Sequence, residues 1–309
     1  MGGHTTYTRV RAGRYQRPTG LPATSERITV GKTSSTRVLK TVDGYGNATL
    51  TLNRPEVHNA FDPEMVRALT AAFEEIAGDD TVRAVLIAGA GPSFCAGADI
   101  AHMRQSARFT KAQNRRAAGE SARMFHALYT LNKPTVAAVH GAVRGGGCGI
   151  VAACDIAIAT RTATFRLSEV KIGVIPAMIS PYVIAAIGER QARRYMLSGE
   201  TFDAAEAWRI GLVHDIVEEA ELVTRIGVML GQLYTSGPRA VHAIKQLIPK
   251  SAHSLIGPGI INETAKRIAA IRATPEAQEG LSAFLEKRKP SWTEPPGAKR
   301  ATTKGKKKR

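Results

Sequence analysis

Apolar positions show no periodicity over residues 1–37 and strong periodicity from Val38 onward. Val38–Val42 and Thr49–Leu52 flank the turn-forming run Asp43-Gly44-Tyr45-Gly46-Asn47 and predict two strands. Asp62-Pro63-Glu64 predicts a helix start, with a capping side chain, a proline where no amide partner is needed, and an acid near the positive end of the helix. Met65, Leu69, Ala72, Phe73 and Ile76 then recur at helical spacing and give that helix one apolar face. The runs Ala84–Ala88, Thr135–Val139 and Ile156–Ala159 are apolar throughout, as expected of strands covered on both sides. A long helix over Lys111–Leu131 and a small-residue helix over Gly146–Cys154 separate them.

Alternating strands and helices of this kind predict an α/β fold. After about residue 180 the strands are expected to stop, apart from a short one near Val213–Val217. Asp203-Ala204-Ala205-Glu206 predicts a helix that Gly211 ends. Thr274-Pro275-Glu276 predicts another, with Leu281, Phe284, Leu285 and Arg288 on one side. The chain therefore divides into an arm over 1–37, a core over 38–235, a helical region over 236–290 and a tail over 291–309.

Composition sharpens this division. Of 309 residues, 43% are hydrophobic and 22% charged, enough for a buried core, which excludes a wholly disordered chain. No run of about 18 apolar residues is present, so no spanning helix is expected and no membrane partner follows. Cys95, Cys148 and Cys154 lack CxxC spacing, which argues against a disulfide framework or structural zinc and fits a reducing, cytoplasmic setting. The Arg-rich, acid-poor start leaves a transit peptide, and hence the mitochondrial matrix, as the alternative. The net charge of +17 is uneven: residues 1–40 carry +7, residues 297–309 carry +7, and the remainder is nearly balanced. Lysine-rich ends give salt-sensitive attraction to phosphates without sequence readout, so nucleic acid is a partner only through these segments.

The chain has no Walker loop, no GxGxxG after a strand, no GxSxG elbow and no HExxH. Two glycine-rich turns each follow an apolar strand: Ser93-Phe94-Cys95-Ala96-Gly97-Ala98-Asp99-Ile100 and His140-Gly141-Ala142-Val143-Arg144-Gly145-Gly146-Gly147-Cys148-Gly149. Strand-to-helix turns leave amide N–H groups free at the helix start. On adjacent strands, two such turns aim donors at one oxygen, an oxyanion hole for a carbonyl becoming an enolate. Tight packing alone is the other reading of the same glycines.

The ordered motifs Arg54-Pro55, His58-Asn59-Ala60-Phe61, Phe94-Cys95-Ala96-Gly97-Ala98-Asp99-Ile100, Lys133-Pro134, Gly145-Gly146-Gly147, Cys154-Asp155-Ile156 and Ser168-Glu169-Val170 with Gly173-Val174-Ile175-Pro176 resemble the enoyl-CoA hydratase/isomerase (crotonase) family. The stretches Leu167–Tyr182 and Ala273–Arg288 resemble a narrower branch, the bacterial methylglutaconyl-CoA hydratases of leucine breakdown. The resemblance implies a spiral of ββα units with a helical C-terminal region that oligomerises and caps the CoA. It implies a homotrimer or dimer of trimers, and a substrate carried as a coenzyme A thioester with no tightly bound cofactor and no metal. It also implies that the amides of Ala98 and Gly146 bind the thioester oxygen and that Glu169 acts as general base. Asn59, Ala60, Phe61, Ala96 and Ala98 would touch the CoA moiety, joined by Phe284 and Lys287 from the last helix, reaching a neighbouring subunit. Relatives of that branch bind RNA, so RNA binding through the tails is the reading from another class.

The sequence departs from the pattern at Gly149, where family hydratases carry a first glutamate. Hydration by Glu169 alone and double-bond isomerisation, or another lyase reaction on the same scaffold, both remain open. Arg144, beside Gly145 and Gly146 in the substrate turn, is expected to fork a second carboxylate on a glutaconyl-type acyl chain; Lys171, Arg166 and His102 are weaker choices, and a surface or subunit-contact role for Arg144 is the alternative.

Overall fold

The computed structural model describes residues 37–294. The expected arm, except Arg37, and the tail from residue 295 lie outside the described residues.

Strands β1 (Val38–Val42) and β2 (Asn47–Leu52) form the expected hairpin. The Asp43 carboxylate closes its turn by accepting the Tyr45 and Asn47 amides. Helix α1 (Pro63–Gly78) starts where expected, with Asp62 accepting the Met65 amide at 2.7 Å, and buries Met65, Leu69, Phe73 and Ile76 on one face. There follow β3 (Ala84–Gly89), α2 (Ile100–Ser106), α3 (Lys111–Tyr129), β4 (Thr135–Val139), β5 (Ala142–Arg144), α4 (Gly146–Ala153), β6 (Ile156–Thr160), β7 (Thr164–Arg166), α5 (Ser180–Ser198), β8 (Thr201–Asp203), α6 (Ala204–Arg209), β9 (Asp215–Val217) and α7 (Leu222–Thr235). The last region holds α8 (Pro238–Ala252), α9 (Pro258–Arg272) and α10 (Pro275–Leu285).

The strands make two layers. One sheet runs β1-β2-β3-β4-β6-β9, parallel from β2 onward, and the other runs β5-β7-β8. Each of β4 and β6 passes straight into a short strand of the second sheet and then a helix, giving the units β4–β5–α4 and β6–β7–α5. The buried apolar strands follow from this stacking: β4 is covered on both faces along its whole length.

One expectation needs correction. Strands do not stop at residue 180, because β8 pairs antiparallel with β7. β5 and β7 were likewise not expected. Three residues are too few to show a period of two, and in β8 only Phe202 points inward, between exposed Thr201 and Asp203. On α10, Ala283 is the only buried residue, whereas Leu281, Phe284 and Leu285 are exposed.

The last helices are held at few points. Arg83 donates to the carbonyls of Tyr234, Ser236 and Trp292, capping the end of α7 and gripping the chain after α10. Trp292 Nε1 donates to Thr235. Residues 291–293 are therefore a docked short turn.

Candidate functional site

The site arises where three neighbouring chain segments end side by side. After β3, Cys95 pairs in parallel with Val143 of β5, and β5 pairs in parallel with β7, Arg144 opposite Arg166. Chains leaving the carboxyl ends of parallel neighbours emerge on the same side of a sheet. The segments that leave here are Ala96–Asp99, Gly145–Gly147 and Ser168–Glu169, so residues far apart in sequence are brought to one edge.

Their approach is close enough to demand glycine. At Gly97 (φ +87°) a β-carbon would lie 2.9 Å from the Arg144 carbonyl oxygen. At Gly145 (φ +48°) it would lie 2.9 Å from Glu169 Oε1. The Glu169 carboxylate therefore sits against Gly145, whose Cα in turn is 3.7 Å from where a Gly97 side chain would begin.

The amides of Ala98 and Gly146 have no hydrogen-bond acceptor among the described residues. Ala98 is an exposed residue lying opposite Phe61 in an isolated parallel bridge, and Gly146 is the first residue of α4. The neighbours are fully used: Phe61 donates to Gly97, Asp99 donates to Phe61, and Gly145 donates to Arg166. Two free donors on adjacent turns, one at a helix N-terminus, are the kind of group that can stabilise an oxyanion.

Glu169 opens a short turn over Glu169–Ile172. It makes no ion pair with any described residue, and its buried Oε2 has no partner. Burial pushes its carboxyl above the usual carboxylate range, with only its own backbone pulling the other way. A buried carboxyl without a cation and with a raised pKa is suited to exchanging protons. Cys95 and Cys148 are no rivals for nucleophilic work, since burial pushes both thiols up to about 12. Among the described residues no cluster of His, Cys, Asp or Glu is arranged to hold a metal ion.

Gly149 faces an apolar wall. A β-carbon there would lie 2.2 Å from Ile179 Cγ2 and 2.9 Å from the Phe125 ring. The space that a first glutamate would use is filled with hydrocarbon. Ile179 was not among the residues singled out from sequence, because nothing in a lone isoleucine signals which glycine it faces.

The segment expected to touch CoA is more internal than anticipated. Asn59 is fully buried, and its side chain accepts the Arg54 amide and donates to the Ala90 and Ser93 carbonyls. His58 and Asn59 both adopt positive φ, which these residue types enter more readily than most. Ala60 and Phe61 are also buried, leaving Ala96, half-buried, and Ala98 as the accessible members. Phe284 is 80% exposed, and neither it nor Lys287 has a side-chain hydrogen bond, ion pair or ring contact to these segments within the chain.

Arg144 is largely committed elsewhere. Its Nη1 donates to the Thr164 and Val143 carbonyls and its Nη2 to the Thr164 hydroxyl. Arg166 Nε donates to Gly199, and the Lys171 stem packs on the same glycine. His102 keeps a buried Nδ1 without a partner.

Ion pairs that no sequence motif marked lie behind the Ala96–Asp99 turn. Arg54 Nη1 lies 2.9 Å from Asp99 Oδ2 and 3.4 Å from Asp62 Oδ2, and donates to the Ala60 carbonyl at 2.7 Å. Each aspartate caps a helix, and the buried arginine lies between the two caps.

Comparison with known proteins gives the family. The family model for enoyl-CoA hydratase/isomerase matches residues 44–295. An enoyl-CoA hydratase structure from Shewanella pealeana is 39% identical, with a TM-score of 0.80 over 83% of this chain and 96% of that one. An enoyl-CoA hydratase/isomerase structure from Marinobacter aquaeolei is 34% identical, with a TM-score of 0.79 over 84% of this chain and 99% of that one. The short-chain-enoyl-CoA hydratase of Clostridium acetobutylicum is 32% identical over 244 residues, 78% of this chain and 92% of the relative. The fold is accordingly the spiral of ββα units that the motifs implied, with a helical C-terminal region.

Proposed function

This chain belongs to the enoyl-CoA hydratase/isomerase family, and we propose that it adds water across the double bond of an α,β-unsaturated acyl-CoA thioester to give a 3-hydroxyacyl-CoA. The observation that carries this reading is the juxtaposition at Gly145 of a partnerless carboxylate, Glu169, with two turns whose Ala98 and Gly146 amides have no acceptor among the described residues.

In the reaction, water oxygen attacks Cβ while Glu169 takes the water proton. The π electrons move onto the thioester oxygen, where the two amides stabilise the enolate; losing one such donor costs about 3–4 kcal/mol in comparable sites. The enolate collapses as Cα takes a proton. With Gly149 walled off by Ile179 and Phe125, Glu169 is the carboxyl that returns that proton, so one group serves as base and then acid. CoA is carried in as part of the substrate, against Ala96 and Ala98 and the buried Asn59–Phe61 segment.

For the acyl chain we propose a branched or glutaconyl-type group, methylglutaconyl among them, supported by the sequence of residues 167–182 and 273–288. Arg144 keeps its expected role toward a second carboxylate only by sharing or leaving Thr164. Arg144→Ala is expected to raise KM for methylglutaconyl-CoA well beyond its effect on crotonyl-CoA, and equal effects on both would remove the assignment. The exposed Leu255, Ile256, Phe284 and Leu285, at 94%, 96%, 80% and 78%, support burial of the last helices against other copies in a trimer or dimer of trimers. Light scattering that gives a monomer would dismiss that assembly.

The hydrocarbon at Gly149 favours a second reading, isomerisation, in which the lone carboxyl moves a proton between carbons without water. Turnover of an enoyl-CoA panel in H₂¹⁸O separates the two. Label in a 3-hydroxyacyl product establishes hydration; an unlabelled product with a migrated double bond establishes isomerisation.

A further inference from the structure

We infer that Arg54 is a positioning residue for the oxyanion hole, fixing the Ala98 amide through the carboxylate of Asp99. This rests on the reading of Ala98 as an oxyanion donor.

A donor that must stay free for substrate is not oriented by a hydrogen bond of its own. The direction of the Ala98 N–H is set instead by what holds the residues on either side. On one side the Gly97 carbonyl accepts the Phe61 amide at 2.7 Å; on the other the Asp99 amide donates to the Phe61 carbonyl at 3.0 Å. That ties Ala98 to the strand-like segment Ala60–Phe61, which must itself be held still.

Arg54 holds both members. Its Nη1 donates to the Ala60 carbonyl at 2.7 Å and lies 2.9 Å from Asp99 Oδ2. Asp99 Oδ1 meanwhile accepts the His102 amide at 3.0 Å as the cap of α2. The two oxygens of Asp99 thus have separate tasks, and the cap does not need the second one. Asp62, the cap of α1, completes the cluster at 3.4 Å from the same nitrogen. The side chains of Arg54, Asp99 and Asp62 are only 10%, 8% and 13% exposed, so the charges interact with little screening by water and in one geometry. The Arg54 amide further donates to Asn59 Oδ1, extending the same grip to the positive-φ turn.

A buried ion pair adds little net stability over an apolar replacement of similar shape. What this one supplies is alignment, and misplacement by about 1 Å costs on the order of 100-fold in rate. The test compares wild type with Arg54→Met, Arg54→Lys and Asp99→Asn. Asparagine retains the cap, so that variant keeps the question answerable should Arg54→Met fold poorly. Hydration kinetics are measured alongside ultraviolet titration with acetoacetyl-CoA, whose enolate absorbs, and calorimetric binding of CoA. Arg54→Met and Asp99→Asn are expected to lower kcat by about 10–100-fold, to bind the probe with less enolate absorbance, and to bind CoA as wild type does. Arg54→Lys should lie between. Folded Asp99→Asn with wild-type kcat and enolate absorbance overturns the inference alone. Wild type that neither hydrates enoyl-CoA nor enolises the probe overturns the underlying reading as well.

Discussion

Glu169 and Glu206 each sit in the first turn of a short helix, and the protein treats them in opposite ways. Glu206 accepts from both arms of Arg209, at 2.5 and 2.6 Å, and from the hydroxyl of fully buried Tyr195. Arg209 and then Tyr195 hold its carboxyl down at about 2, against the smaller upward effect of burial. Glu169 has no such company, and burial drives it upward. Folding normally partners a carboxylate removed from water. Glu169, between two turns with free amides, is an exception of the kind that makes a functional-site candidate.

The two also act oppositely on stability with pH. Glu206 is depressed, so its stabilisation is present above its unfolded value of 4.5 and is lost as pH falls toward about 2. Glu169 is raised, so its contribution favours folding at low pH and is lost as pH rises through its elevated folded value.

The comparison breaks most readily at Glu169. Glu169→Gln is expected to lower kcat by about 10²–10⁴-fold while the thermal midpoint stays level or rises, since an unpartnered charge is removed. A clear fall in the midpoint would show that this carboxylate is structural, as Glu206 is. The apolar side of the site is probed by Gly149→Ala, whose methyl meets Ile179. It should cost about 1–3 kcal/mol by overpacking, and Ile179→Ala in the same chain should recover part of that cost in a double-mutant cycle read by urea unfolding. Glu206→Ala strands the Tyr195 hydroxyl and should cost about 1–3 kcal/mol with kcat retained; lost activity at full stability would reverse the contrast. The smallest effect is on the pH profile. kcat/KM should fall on the acid side around a pKa above the ordinary carboxylate range, because Glu169 must be ionised to take a proton, and Glu206→Ala should leave that limb in place.

The elements with strong local signals were legible in the sequence. The Asp62 cap, the apolar face of α1 and the uninterrupted runs of β3, β4 and β6 each carry their cause within a few residues. The three-residue strands β5, β7 and β8 do not, because pairing across the second sheet makes them strands. The same holds around the site. Glycines flanking apolar strands pointed to free amides, and the motif order pointed to Glu169. Nothing local showed that Arg144 would be occupied by Thr164, or that Arg54 would span two helix caps.

From the chain alone came which residues can form strands, caps and donors, because those properties depend on neighbours in sequence and on the chemistry of each side chain. The tertiary structure decided which of them meet. Parallel pairing put the ends after Cys95, Arg144 and Arg166 at one edge, and Ile179 and Phe125 pack where a side chain at Gly149 would lie. Those outcomes rest on register and excluded volume between distant segments, which no window of sequence contains.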